Sequence, residues 1–292
     1  MLTVIAILIF GVAVYAFIQD ISRANGVAAN INSYGKLAGI TVVFFAIKLT
    51  VYRYDHPTKM IVDLVLMLIA GFGLYISETR AAWIAVFLTL IVMTPFLFHS
   101  ISFKKLGAFV IACVAAITVI SLTNSEVLSR LMQGWNDIQQ YYYGNIHTSW
   151  GYRLEMWRIV LLGFVEHPVW GHGLDAFNAY TVALKEAGLT QLPDNFGSPH
   201  NEYMHMLFSV GIVGLLLFLS LLIGLLVLLV HTIGGIKNIH KSLYARLYFS
   251  LVVYIAITCL FDTSWSNKHV LYVYVVMLVG SAVMLQKDYK VE

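Results

Sequence analysis

Three arginines and one histidine are of types, and in places, that could serve chemistry as well as packing. Arg80 lies in Ser77-Glu78-Thr79-Arg80-Ala81-Ala82-Trp83, between two apolar runs. An ionisable residue in a membrane helix costs roughly 2.5–3.5 kcal/mol at the bilayer centre and less near an end. Either its guanidinium snorkels outward and pairs with Glu78, or it is an anion ligand facing the interior of a bundle. Arg153 lies in Gly151-Tyr152-Arg153-Leu154-Glu155-Met156-Trp157-Arg158 and shares a helix face with Trp157, at i and i+4, while Arg158 projects elsewhere. It reads as an interfacial arginine touching lipid headgroups or as a second anion ligand. Arg23 precedes Asn30 and Asn32 and means little by itself.

His200 stands in Gly197-Ser198-Pro199-His200-Asn201-Glu202-Tyr203, just before a long apolar run. An imidazole titrates near pH 6.5, so a neutral one can accept a proton at pH 7. A helix N-terminus favours that neutral form further. The competing reading is a helix cap. Catalytic zinc is not expected. A zincin needs two histidines at i and i+4, whereas His200 and His205 are five apart and point about 140° from one another.

The elements that must position these groups are membrane helices. Of 292 residues, 60% are hydrophobic and 11% charged, against roughly 25% charged in soluble domains. A water-soluble fold could not hide that much apolar surface, so lipid is the solvent for much of the chain. The net charge of +3 is too small and scattered for nucleic acid. Cys113 and Cys259 lie in apolar runs without a CxxC partner, which argues against a disulfide framework or a thiolate metal site.

A span needs roughly 17–25 mainly apolar residues. Segments 2–18, 35–52, 60–77, 81–98, 107–123, 203–230, 244–261 and 270–286 meet or approach that length. The first has neither a basic n-region nor a cleavage site, so it reads as a span rather than a signal peptide. The expected fold is therefore all-α, a polytopic transmembrane bundle of about eight spans. Residues 1–123 would hold five spans, 124–202 one large helical extracytoplasmic loop, and 203–292 three more spans.

Orientation follows the positive-inside rule. Lys48, Arg53 and Lys59, Lys104 and Lys105, Lys237, Lys241 and Arg246, and Lys287 and Lys290 mark the cytoplasmic side. Arg23, Arg80, Lys268 and the long loop mark the other. The loop is rich in aromatics, which predicts order. Within it, residues 152–165 read as a helix with a large apolar face, lying along the membrane surface and ended by His167-Pro168.

With these features in place the chain resembles the O-antigen ligase/polymerase family of bacterial envelope glycosyltransferases. Four features carry the likeness: Arg23 followed by Asn30-Ile31-Asn32; Ser77-Glu78-Thr79-Arg80-Ala81; Arg153-x-x-x-Trp157 leading to Pro168-x-x-Gly171-His172-Gly173; and Pro199-His200-Asn201 running into Gly211-Ile212-Val213-Gly214. The resemblance implies inverting glycan transfer from an undecaprenyl-pyrophosphate donor, without metal, cofactor or nucleotide sugar, at the outer face of the cytoplasmic (inner) membrane. It makes His200 the base and Arg80, Arg153 and, more weakly, Arg23 the pyrophosphate ligands. The acceptor would be lipid A core in lipopolysaccharide assembly, another glycan, or a protein. Family members usually carry several more spans before the region that residues 1–34 resemble, so the chain reads as a shortened or compact member.

Two other classes compete. A transporter or flippase of lipid-linked oligosaccharides would explain the helices and outward arginines, and would place polar residues or broken helices at the midplane. Asp63, near the inner end of its span, is one of few such residues. An inactive subunit that only binds partners is the third reading.

Overall fold

The computed structural model describes residues 31–51, 55–97, 125–193, 196–264 and 266–290. The expected spans 2–18 and 107–123, together with Arg23, lie outside these. Among the described residues every element is helical: α1 (Ile31–Val51), α2 (Pro57–Ile76), α3 (Arg80–Leu97), α4 (Ser125–Tyr142), α5 (Ser149–Glu166), α6 (Ala176–Glu186), α7 (Glu202–Thr232), a 3-10 turn (Ile236–Lys241), α8 (Leu243–Phe261) and α9 (Lys268–Lys290). Five of them, α1, α2, α7, α8 and α9, are long and apolar enough to cross a membrane, and α3 is a shorter apolar helix. All six coincide with segments expected as spans. On α2, Met60, Ile61, Val65 and Leu68 are exposed, and on α7 Leu216, Leu217 and Ile223 are. Such faces are stable against lipid, where a helix also satisfies its own backbone.

The chain divides into two compact units, Met1–Ser100 with Ser220–Glu292, and Ile101–Leu219. In the first, α1 packs on α2, α3, α8 and α9, and α8 packs on α3 and α9. Buried polar contacts mark one end of this bundle. Lys36 Nζ meets Asp262 Oδ2 at 2.6 Å, with the lysine side chain 1% exposed. Asn267 Nδ2 donates to Ser33 Oγ at 2.9 Å, and Tyr254 donates its hydroxyl to the Lys36 carbonyl at 2.9 Å. The α2–α3 corner lies at this same end. A Cβ on Gly35 would fall 2.5 Å from the Thr79 side chain, so glycine lets α1 close onto the corner. At the other end Lys48 Nζ meets Asp63 Oδ2 at 2.7 Å. A charge inside a bundle persists only when paired, and both pairs tie α1 to another span.

The second unit is the loop with the start of α7. Met156, Ile159 and Val160 of α5, Phe177 of α6, Leu192 and Phe208 of α7 form its core. Helix α5 starts where Thr148 Oγ1 accepts the Gly151 N–H at 2.9 Å and stops at His167, before Pro168.

Gly211 breaks α7, with φ 69° and ψ −161°, a region essentially reserved for glycine. Into the break runs the turn segment 168–173. The His172 and Gly173 N–H groups donate to the Phe208 and Ser209 carbonyls, each at 2.9 Å, and Ile212 N–H donates to the Pro168 carbonyl at 2.9 Å. The backbone groups that the break frees are thus taken up by another backbone. Closeness demands glycine on both sides. A Cβ on Gly171 would sit 2.5 Å from the Phe208 carbonyl oxygen, and one on Gly211 would collide with the Val169 carbonyl. The part of α7 after the break, residues 212–232, is about 31 Å long at 1.5 Å per residue. That matches a hydrocarbon core of about 30 Å.

Gly211→Ala should therefore lower thermal stability sharply, by at least the ~1–3 kcal/mol that such a backbone costs a non-glycine residue. Gly224→Ala in the same helix, where a Cβ meets nothing, should be neutral or stabilising by up to about 1 kcal/mol. Melting of the detergent-solubilised variants, followed by tryptophan fluorescence, tests the pair. Equal melting temperatures would remove the argument.

Candidate functional site

Arg153 and His200 are brought together in the loop unit. Arg153, on the first turns of α5, donates from Nη1 to the His200 carbonyl at 3.1 Å. One turn on, Trp157 donates from Nε1 to the Pro199 carbonyl at 3.1 Å. The face shared by Arg153 and Trp157 therefore grips two successive carbonyls of Pro199-His200. Around the grip, Trp157 meets Trp150 edge-on at 6.5 Å, Phe196 meets the His200 ring edge-on at 6.0 Å, and Tyr152 lies 5.5 Å from Phe196. Pro199 is buried and His200 half-buried. The imidazole is supported by an aromatic neighbour.

His200 has φ 48°, in the left-handed region. A non-glycine residue there costs of order 1–3 kcal/mol and persists only where its surroundings enforce it. Here the surroundings are the two carbonyl bonds and the helix that follows. Asn201 caps that helix, its Oδ1 accepting the Met204 N–H at 3.1 Å. One cap of the helix is thus supplied by Asn201, the residue after His200.

Arg80 belongs to the other unit and is the first residue of α3, half-buried. The motif before it makes a tight corner. Ser77 Oγ donates to the Leu74 carbonyl at 2.7 Å and accepts the Thr79 N–H at 3.2 Å, Glu78 turns left-handed at φ 49°, and Trp83 Nε1 donates back to the Leu74 carbonyl at 3.0 Å. Each small or polar residue of the motif thus has a local task in starting α3 at Arg80.

Glu155 is a centre that sequence reasoning missed. Its side chain is buried, yet Oε1 accepts from Arg158 Nη2 at 2.6 Å and from Thr190 Oγ1 at 2.7 Å, while Oε2 accepts from Arg158 Nε at 2.9 Å and from Tyr141 at 3.3 Å. Arg158 Nη2 also donates to the Leu189 carbonyl at 2.8 Å. The carboxylate so joins α4, α5 and the loop after α6. Burial pushes its pKa up, but hydrogen bonds from Arg158 and Thr190 and the guanidinium charge outweigh that and hold it below the ordinary glutamate value. Burial, with Glu155 beside it, raises the Tyr141 hydroxyl. The i,i+3 spacing of Glu155 and Arg158 was the available signal. The partners Tyr141 and Thr190 had none.

His172, from the Gly-His-Gly motif, is structural. Its Nε2 lies 2.9 Å from the Gly163 carbonyl, to which the Nε2–H tautomer donates, and its ring stacks on Phe208 at 4.7 Å and 10°. Among the described residues no three His, Cys, Asp or Glu side chains converge on a metal-sized position.

The carboxylate of Glu155 allows a sign to be worked out. Its folded pKa is depressed, so its contribution to stability is present at neutral pH and is lost as pH falls below the ordinary value of 4.5 through the folded one. Acidification should loosen the loop unit, and Glu155→Gln should flatten that acid limb while lowering stability at pH 7. Hydrogen exchange of α5 amides against pH reads both effects; an unchanged acid limb in the variant would count against the assignment.

Known proteins bear on this geometry. A family model described as O-antigen ligase matches residues 65–219, a stretch that holds Arg80, Arg153, Trp157, His200 and the Gly171–Gly211 crossing. A protein of Haemophilus influenzae described as uncharacterized is 28% identical over 212 residues, which is 69% of this chain and 50% of that protein. The chain spans about half the length of this curated relative.

Proposed function

The chain belongs to the O-antigen ligase family, and from that premise we propose that it transfers a glycan from a polyprenyl pyrophosphate to an acceptor hydroxyl at the outer face of the bacterial inner membrane. The observation that carries the reading is the bond between the Arg153 guanidinium and the His200 carbonyl. It ties a permanent cation to the backbone of the histidine proposed as the base. The imidazole accepts the proton of the acceptor hydroxyl while that oxygen bonds to the anomeric carbon. The carbon–oxygen bond to the pyrophosphate breaks on the opposite face, with inversion, and the electron pair leaves on the pyrophosphate. Charge grows on that leaving group in the transition state, where fixed guanidinium groups in a water-poor site stabilise it most. Arg153 is held at one end by the His200 carbonyl and has five N–H donors in its fork. The family resemblance makes Arg80 and, more weakly, Arg23 further candidates for ligands of the diphosphate. No metal is needed in this scheme, because the cations are side chains.

A lipid-linked donor suits the loop. Leu161, Leu162, Val165, Val169 and Trp170 are exposed on α5 and the turn after it. Such a face belongs among headgroups, where a polyprenyl diphosphate also presents its sugar. The break in α7 is a feature a transporter would use, but the loop backbone occupies it. That favours a fixed catalytic scaffold. The acceptor is lipid A core or a second glycan, and both use the same base and cations.

His200→Asn keeps a residue that tolerates the left-handed backbone and removes the base. It should leave folding intact and slow transfer by the ~10²–10⁴-fold typical of a general base. Arg153→Lys should be nearly as damaging as Arg153→Ala, since a point charge lacks the fork. Glycan transfer assayed with purified variants and a lipid-linked donor tests both, and wild-type rates in His200→Asn would end the base assignment. Orientation is tested separately. Tyr142 is 90% exposed, so Tyr142→Cys, in a background without Cys113 and Cys259, should react with an impermeant thiol reagent added outside intact cells. Reaction only after permeabilisation would invert the topology.

A further inference from the structure

The bundle end opposite Arg80 holds a cavity of about 530 Å³ between α1, α2 and α8, with Lys48, Thr58, Lys59 and Asp63 on its wall. Lys48 is engaged by Asp63 at 2.7 Å, which neutralises that buried carboxylate. Lys59 is held differently. Its side chain is 59% exposed and its partner Asp55, at 3.5 Å, is 72% exposed. A surface pair of this kind contributes ~0–1 kcal/mol, so the Lys59 ammonium can turn to another anion at little cost.

A second cavity, of about 240 Å³, lies between α1, α8 and α9. Its wall is almost wholly apolar, and Phe44, Tyr244 and Leu247 line both cavities. The two therefore adjoin, with those three residues as their shared wall. The wall at Gly280 is open: a Cβ there would meet no atom within 4 Å. A cationic mouth that leads into an apolar furrow between spans has the chemistry of an anionic amphiphile, with its phosphate outside and its chain within.

We infer that these adjoining cavities form one furrow that binds an anionic glycerophospholipid of the leaflet at that end, its phosphate on Lys59 and an acyl chain along α8 and α9. The Lys and Arg distribution assigns this end to the cytoplasm, where such lipids give the surface its negative potential. The inference does not depend on the transfer reaction, since it uses neither arginine site nor His200.

The test is native mass spectrometry of the full chain, partly delipidated in detergent and titrated with phosphatidylglycerol or phosphatidylcholine. Wild type should retain phosphatidylglycerol about fivefold better, the factor that ~1 kcal/mol per lysine corresponds to at an anionic surface. Lys59→Gln, on an exposed side chain, should bring that preference below about twofold. Gly280→Leu, which fills the furrow where there is room, should reduce retention of both lipids. Equal retention of the two lipids by wild type, an undiminished preference in Lys59→Gln, or full retention by Gly280→Leu would each overturn the site.

Discussion

The arrangement of the loop unit depends on one requirement: a helix interrupted within an apolar run must give its freed backbone groups partners. At Gly211 the partners are the peptide groups of Pro168, His172 and Gly173. Because these bonds are backbone to backbone, they fix the exit of α5 against the entry of α7 irrespective of side chains. The first turn of α7, with its Asn201 cap, is set by that crossing, and His200 stands immediately before it. Small residues at the crossing are a steric necessity, since the carbonyls of Phe208 and Val169 occupy the places where methyl groups would go.

The backbone of His200 shows how the strain is sustained. A left-handed histidine costs about 1–3 kcal/mol. A charge-assisted bond from Arg153 nets about 1.5–3 kcal/mol, and a neutral one from Trp157 about 1. The cap at Asn201 adds about another 1. The conformation is therefore over-determined by a modest margin. Its effect is to turn the carbonyl towards α5, while the ring rests edge-on against Phe196. Glu155 gives α5 rigidity from its other side, so the arginine that does the gripping is itself held on a helix that cannot easily rotate.

Much of this was legible in the sequence, and the missing parts share a cause. Spans could be read because lipid imposes length and apolarity, and α1, α2, α3, α7, α8 and α9 lie where hydropathy places them. The loop helix, expected over 152–165 and ending at His167-Pro168, runs from Ser149 to Glu166. Arg153 and Trp157 on one face followed from helical spacing. That this face grips Pro199 and His200 did not, because those bonds join side chains to backbone across 47 and 42 residues, and any residue has a carbonyl. Of the three partners of Glu155, Arg158 lies at i+3, whereas Tyr141 and Thr190 were hidden because they stand 14 and 35 residues away. The break at Gly211 was masked by the apolar residues on both sides of it. Hydropathy is blind to φ, and the α4 helix, amphipathic and outside any span, carried no length constraint to announce it.

The ion pair of Lys36 with Asp262 has a consequence for biogenesis. The two residues are separated by 226 positions, so the ribosome delivers the ammonium long before its counter-ion. At 5–20 residues per second the delay is on the order of ten to fifty seconds. During that interval α1 has no carboxylate at 2.6 Å to neutralise Lys36 and can rest only high in the bilayer, with the amine among headgroups. It settles to its final depth when α8 emerges. A late-made residue thereby seats an earlier helix, and a nascent protein released before Asp262 would carry an α1 that has not docked.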